Sequence, residues 1–344
     1  MITLTPPHLS PDNVDQHITC IRPKRSGGAR IQQERLANKL IIHNYGHGGF
    51  GWTLLPGSVL HALSLLQEAI KHDPALTNPK KITVVGAGCM GLLTAIFLHE
   101  QGWDVTIIAE QTEQLTSHKA AGSLAVIAIK SSLENQALMN QVAIDSYVFY
   151  KNLARTPNPR FPGVTALPAY MIHEGTPDYR YPLITAGVMA QPEDVVVNFG
   201  NDVTYNAKKF DTFFLDTIVL MQAFTNKVLT YNIPIVKKKI TNIAEIETTI
   251  IFNCSGLGAR AWDAKAIVPV QGHLVRVKNQ PQAAFDYIIF AHIKIDGKLR
   301  EISWTPKDGG LLGGSAINYE DRLDTNAHVG DEIMVRARKF FGGR

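Results

Sequence analysis

Cysteine is scarce in this chain: three residues in 344, Cys20, Cys89 and Cys254, with no CxxC pair among them. That argues against a disulfide-stapled secreted domain and leaves buried thiols in a reducing compartment. Charge is sparse as well, 19% of residues with a net of +4, and no arginine-rich helix or aromatic-interleaved basic stripe is present. Nucleic acid is therefore not an expected partner. No apolar run reads as long enough to span a membrane. The start, Met1 to Pro7, lacks the basic-then-apolar order of a signal peptide, and the end, Gly342-Gly343-Arg344, is no peroxisomal tripeptide. A cytoplasmic, bacterial protein is the expectation. His43 and His47 have no third ligand nearby, so they read as hydrogen-bonded structural histidines and no metal is expected.

What the chain does have is glycine in dense, placed clusters. His43-Asn44-Tyr45-Gly46-His47-Gly48-Gly49-Phe50-Gly51-Trp52-Thr53 holds four glycines in eleven residues and runs into an apolar pattern from Pro56 to about Lys71. Such a loop lets bare N–H groups approach a ligand, and the helix that follows adds its positive dipole end. The second cluster, Gly86-Ala87-Gly88-Cys89-Met90-Gly91, follows the apolar strand Lys81–Val85 and precedes a helix from Leu92 to Gln101. A second strand, Trp103 to Glu110, completes a βαβ start. In a dinucleotide-binding turn Gly86 permits the tight bend, Gly88 admits a pyrophosphate and Gly91 allows helix–sheet packing. Glu110 falls where a carboxylate accepts from a ribose hydroxyl. These signals do not separate NAD from FAD.

Further along, the segment His72 to Pro79, with prolines at Pro74 and Pro79, reads as a linker. A helix is expected over Asp216–Asn226 and strands over Ile18–Ile21, Ile233–Ile240, Thr248–Cys254, Leu274–Val277, Tyr287–Ile295, Glu301–Trp304 and Leu311–Leu312, with a last helix over Asp331–Phe341. Residues 130–205 mix helix-like stretches with proline-rich loops. Lys237-Lys238-Lys239 reads as a solvated strand end.

The glycine segment from His43 resembles a motif of the D-amino-acid oxidase family of FAD-dependent amine oxidases, where it lies near the C-terminus, after the dinucleotide fold. Here it comes first, so the chain resembles a circular permutation of that order. The resemblance is strongest over residues 20–71, 82–125 and 228–276. It implies an α/β fold in which a Rossmann-type FAD-binding domain, residues 31–129 and 206–271, interleaves with a mixed-sheet α+β substrate domain, residues 1–30, 130–205 and 272–344. Residues 72–80 would join the family's usual termini, since nine extended residues reach up to roughly 30 Å, and the last helix should meet the strand at Ile18–Ile21.

The same resemblance implies a set of cofactor contacts. Gly86, Gly88, Cys89, Met90, Gly91 and Glu110 would meet the dinucleotide. Ala121, Gly122 and Ser123 match the stretch lying along the isoalloxazine, Ile240 a position whose backbone meets the adenine, and Ser255 and Gly256 the strand end near the FAD. Gly48, Gly49, Phe50, Gly51, Trp52 and Thr53 match the segment that holds the flavin pyrimidine, and Arg30 an arginine near the flavin. Arg22 matches the arginine that grips an amino-acid carboxylate, a task suited to a guanidinium fork. The Gly49 carbonyl would accept from the amine. Leu299 stands where a substrate tyrosine hydroxyl is expected, and Tyr205 is the candidate to serve instead. The implied activity is oxidation of the amine of a small amino acid, D-amino acids first and glycine-like amines second, by hydride transfer to FAD. A catalytically impaired flavin-binding protein is the alternative, and an NAD-dependent dehydrogenase would leave the Gly46–Gly51 segment unexplained.

Overall fold

The computed structural model describes residues 1–124, 131–173, 181–263 and 266–342. In chain order, β1 (Ile2–Thr3), β2 (Val14–Arg25), β3 (Arg30–Leu36) and β4 (Lys39–Tyr45) lead through a 3-10 turn at Gly48–Phe50 into α1 (Gly51–His72). The βαβ unit follows as β5 (Lys81–Val85), α2 (Cys89–Glu100) and β6 (Asp104–Ala109). Next come α3 (Thr116–Lys119), α4 (Leu133–Arg155), β7 (Val164–His173), α5 (Tyr181–Thr185), β8 (Glu193–Asn198), β9 (Thr204–Leu215) and α6 (Thr217–Thr230). The described chain finishes with β10 (Ile235–Lys237), β11 (Ile250–Asn253), β12 (Ile267–Val277), β13 (Ile288–Ile295), β14 (Lys298–Thr305), β15 (Leu311–Gly313), β16 (Ile317–Asn318) and α7 (His328–Phe341).

These strands form two sheets. One has six strands in the order β10-β6-β5-β11-β4-β3, parallel throughout except for the β3–β4 hairpin at its edge. Its inner strands are runs of buried Ile, Val and Leu, as expected where helices cover both faces. The chain moves from β5 outward to β6 and β10, while β11 and β4 lie on the other side of β5. The crevice beyond the C-terminal ends of β5 and β11 is therefore the switch point where α/β sheets take ligands. The other sheet has ten strands, runs from β1 to β16, and carries β2 paired along the whole of β12.

α1 begins at Gly51, five residues before the expected start at Pro56, because its neighbour α4 makes the proline tolerable. Pro56 has no N–H to give the Trp52 carbonyl. The Tyr150 hydroxyl donates to that carbonyl instead at 2.6 Å, and the Gly57 N–H donates to Ser146 Oγ at 2.9 Å. A Cβ on Gly57 would lie 2.1 Å from the Val142 carbonyl oxygen, so only glycine lets α1 and α4 approach this closely. The stretch Gly48–His72, at a mean hydropathy of 1.2, is long and apolar enough to cross a membrane, against the sequence expectation. Its most apolar window is 61% buried inside the protein, which is how a core helix behaves. The expected linker folds into a 3-10 turn, Pro74–Thr77, that buries Leu76.

The two ends of the chain are neighbours. A Cβ on Gly330 of α7 would touch the His17 ring of β2 at 2.6 Å, and Arg338 Nε donates to the Leu9 carbonyl at 2.6 Å.

Candidate active site

A cavity of about 790 Å³ opens at the switch point, with walls from both sheets. At its nucleotide-like end stands the β5–α2 turn. Gly86 has φ +108°, and a Cβ there would lie 2.5 Å from the Cys254 carbonyl oxygen, so glycine alone fits where the β5 and β11 ends meet. Gly88 precedes α2 without a side-chain cap, and the Cys89 N–H donates to Ser117 Oγ at 3.1 Å. Gly86, Gly88, Cys89 and Met90 all line the cavity. Gly91 does not: it lies against the Gly86 carbonyl, 1.9 Å from where a Cβ would be, so its role is packing. Glu110, at the end of β6, lines the wall and pairs with Lys239 at 3.1 Å. Ile240, Ser255 and Gly256 line it too, and Asn253 Oδ1 orients Ser255 by accepting from its N–H at 3.2 Å and its hydroxyl at 2.6 Å.

The β4–α1 segment forms another wall. Gly48, Gly49, Gly51 and Trp52 line the cavity, while Phe50 packs against the main apolar core and Thr53 is buried within α1, so these two leave the expected contact set. Trp52 Nε1 donates to the Ser117 carbonyl at 2.9 Å. His47 is buried and hydrogen-bonded to Ser58 Oγ at 2.9 Å, and burial holds its pKa at about 4. His43 meets Glu34 at 3.0 Å and Asn253 at 3.3 Å; burial, then the Arg30 charge, lower it to about 4 despite Glu34. Both rings are neutral at neutral pH. Asn44 lines the cavity fully buried, and neither polar atom of its amide has a partner among the described residues.

Arg22 enters from β2. Its guanidinium lies over Gly272, where a Cβ would be 2.8 Å from Cζ, and against Gly49, where a Cβ would be 3.1 Å from Nη1. Nη2 donates to the Ser315 carbonyl, and Nε is buried with no partner among the described residues. The structure thus brings Arg22 and Gly49 together in one corner. Arg30 is elsewhere: it pairs with Glu34 at 2.7 Å and donates to the Tyr45 hydroxyl at 3.2 Å, outside the cavity lining. That hydroxyl donates to Asp263, which also pairs with Arg25 at 2.9 Å. Burial alone would raise the Asp263 carboxyl, but Arg25 and Tyr45 hold it below the ordinary range.

Residues 116–121 close the last wall. Thr116 Oγ1 donates to the Ile21 carbonyl at 2.9 Å and Lys119 Nζ to the Thr19 carbonyl at 3.3 Å, and Ala120 and Ala121 face the cavity. Gly122 and Ser123 do not. The Gly122 carbonyl accepts from the Leu215 N–H at 2.7 Å and Ser123 bridges Phe214, because the chain has already turned to pair with β9. Tyr205 also falls outside the site. It sits in the apolar cluster between β9 and α7, beside Phe199 and Phe340, and its hydroxyl donates to the Phe340 carbonyl at 2.9 Å. Leu299 is exposed and does not line the cavity.

Several cavity residues escaped the sequence reading. Ser117 was findable as a hydroxyl three residues before the Ala120-Ala121 pair. Asn44 lay inside the glycine motif but carried no chemical signature of its own. Gly272 and Ser315 have no local signal, since their role comes from the Arg22 side chain that rests on them.

Comparison with known proteins follows this geometry. Residues 81–181 match the family model described as FAD dependent oxidoreductase, DAO. A D-amino-acid oxidase of Streptomyces coelicolor is 26% identical over 265 residues, covering 74% of this chain and 76% of the relative. Among solved structures, an iminodiacetate oxidase from Chelativorans sp. BNC1 aligns with a TM-score of 0.51 at 13% identity, over 76% of this chain and 78% of that one. An L-amino acid deaminase from Proteus vulgaris lacking its specific insertion sequence aligns with a TM-score of 0.50 at 15% identity, over 76% and 74%. At such identities these two bear on the fold alone.

Proposed function

We propose that this chain, an FAD-dependent oxidoreductase whose residues 81–181 match the DAO family model, oxidises the amine of a small amino acid, a D-amino acid first, to the imino acid. The observation that carries the reading is the corner where the Arg22 guanidinium meets Gly49, in the same cavity that the Gly86–Met90 turn lines. A cofactor with a nucleotide at one end and a reacting ring at the other would place that ring beside Arg22.

Features of this chain fit FAD. The uncapped start of α2 offers its dipole and N–H groups to a pyrophosphate. Ser117 and Glu110 add to the lining a hydroxyl and a carboxylate, groups suited to a phosphate and a ribose. The unpartnered Asn44 amide calls for a polar ligand atom. The start of α1, lined by Gly49 and Gly51, favours negative charge on a ring edge.

When bound, the flavin supplies a two-electron acceptor. Arg22 would pair with the substrate carboxylate, and the Gly49 carbonyl would accept from the amine. Together they would hold the substrate in one orientation, its α-hydrogen turned toward that acceptor. The permuted chain order and the interleaved domain division belong to the same reading. The family match beginning at β5, and the meeting of α7 with β2, support it.

Anaerobic addition of D- and L-amino acids to the purified, FAD-loaded protein tests the proposal through the visible flavin band. Bleaching by a D-amino acid is expected. A flavin band that survives every amino acid and glycine-like amine would favour an impaired flavin-binding protein, the reading to which Tyr205's place outside the cavity lends weight.

A further inference from the structure

Behind the cavity wall lies a cation that the proposed reaction leaves unused. Lys307 follows β14 in the turn toward β15 and is 2% exposed. Its Nζ donates to the His118 carbonyl at 2.6 Å, the Ala120 carbonyl at 2.8 Å and Thr217 Oγ1 at 2.6 Å. An ammonium has three donors, so the set is complete. All three acceptors are uncharged, and Asp308 and Asp216 act on the ammonium only through space. Burial lowers its pKa to about 8, which still leaves it mostly charged at neutral pH.

A tether alone has no need of charge. Burying an ammonium against neutral acceptors costs more than burying an amide of similar reach. What the charge adds is a field that reaches the cavity: Ala120, whose carbonyl holds the ammonium, lines the wall, and the Cys20 thiol, which lines the cavity from β2 and is raised by burial, is lowered by the Arg22, Lys119 and Lys307 charges in that order.

We infer that Lys307 is a positioning residue that sets the Ala120–Ala121 wall and projects positive charge across it, so that the cavity favours an anionic over a neutral isoalloxazine. This rests on the proposal that the flavin ring lies along that wall.

Sulfite is a suitable probe, because it adds to an oxidised flavin, leaves the ring anionic and bleaches the visible band without any substrate. Lys307→Met and Lys307→Gln remove the charge, Gln keeping a donor, and Lys307→Arg keeps the charge. The neutral variants should bind sulfite on the order of tenfold more weakly or worse, the scale of a unit charge acting over roughly 10 Å at an effective dielectric near 20. Lys307→Arg should stay within about threefold of the parent, well inside that difference.

Parent-like sulfite affinity in FAD-loaded Lys307→Gln would overturn this inference alone. A parent protein that takes up no FAD would overturn the proposed function and this inference with it. If both neutral variants fail to fold, Lys307→Arg decides. Parent-like sulfite affinity there is the result that a retained charge requires, whereas lost sulfite affinity in a folded, flavin-loaded Lys307→Arg removes the charge as the cause.

Discussion

The Tyr150 hydroxyl donates at 2.6 Å to the Trp52 carbonyl, the one carbonyl of α1 that Pro56 deprives of its helical donor. A side chain on α4 thus completes the backbone of α1 beside the cavity. Tyr150→Phe should cost about 1–3 kcal/mol by orphaning a buried carbonyl. In a Pro56→Ala background the helix supplies its own N–H, and the same replacement should cost much less. Urea denaturation of the four proteins measures the coupling. Equal costs in both backgrounds would separate the proline from the tyrosine.

Acid should unfold this protein through its histidines. His43 and His47 are buried with pKa values of about 4, against 6.5 unfolded. Between those values the unfolded chain binds protons that the folded chain refuses, so stability is lost as pH falls from 6.5 to about 4. Each ring accounts for up to ~3 kcal/mol across that window. Urea midpoints measured from pH 7 downward should show the decline, and His47→Gln should flatten it. A variant with the parent's pH slope would clear His47 of that role.

Two glycines of one motif should behave differently. Gly86 combines φ +108° with a Cβ position 2.5 Å from a carbonyl oxygen, whereas Gly88 is extended and its nearest neighbour is Ser117 Oγ at 3.2 Å. Gly86→Ala should cost about 2–4 kcal/mol and abolish FAD uptake. Gly88→Ala should fold normally and bind FAD more weakly. Thermal melts and flavin content check both, and a stable, flavin-replete Gly86→Ala would contradict the cradle.

Arg22→Ala should raise the substrate KM by the equivalent of about 2–5 kcal/mol if the guanidinium pairs with a carboxylate. Flavin uptake should stay at the parent level. Lys at this position should recover little, having no fork to match the carboxylate plane. An unchanged KM would remove Arg22 from the site.

Local signals carried much of this site. The βαβ unit was readable because Lys81–Val85, the glycine turn and Glu110 follow one another within thirty residues and obey rules of short range. His47 was readable as structural for lack of any ligand partner. Arg22 and Arg30, eight residues apart in one basic stretch, were both expected at the site, Arg22 on the substrate carboxylate and Arg30 near the flavin. Pairing separates them: Arg22 lies on β2 against β12 in the ten-stranded sheet, and Arg30 opens β3 in the other sheet. Tyr205 failed as a candidate because β9 turns it toward α7, 135 residues away. Lys307 gave no signal, because its partners, the His118 and Ala120 carbonyls and the Thr217 hydroxyl, lie far away in the chain.

By itself the sequence determined the elements whose information is short in range: the phosphate-type turn, its flanking strands, the glycine-rich wall and the order in which they come. Tertiary structure alone decided where α1 begins, which arginine reaches the cavity and which lysine is buried behind it. Those outcomes depend on hydrogen bonds and steric limits between segments far apart in the chain, and such contacts exist only once both sheets have closed around the switch point.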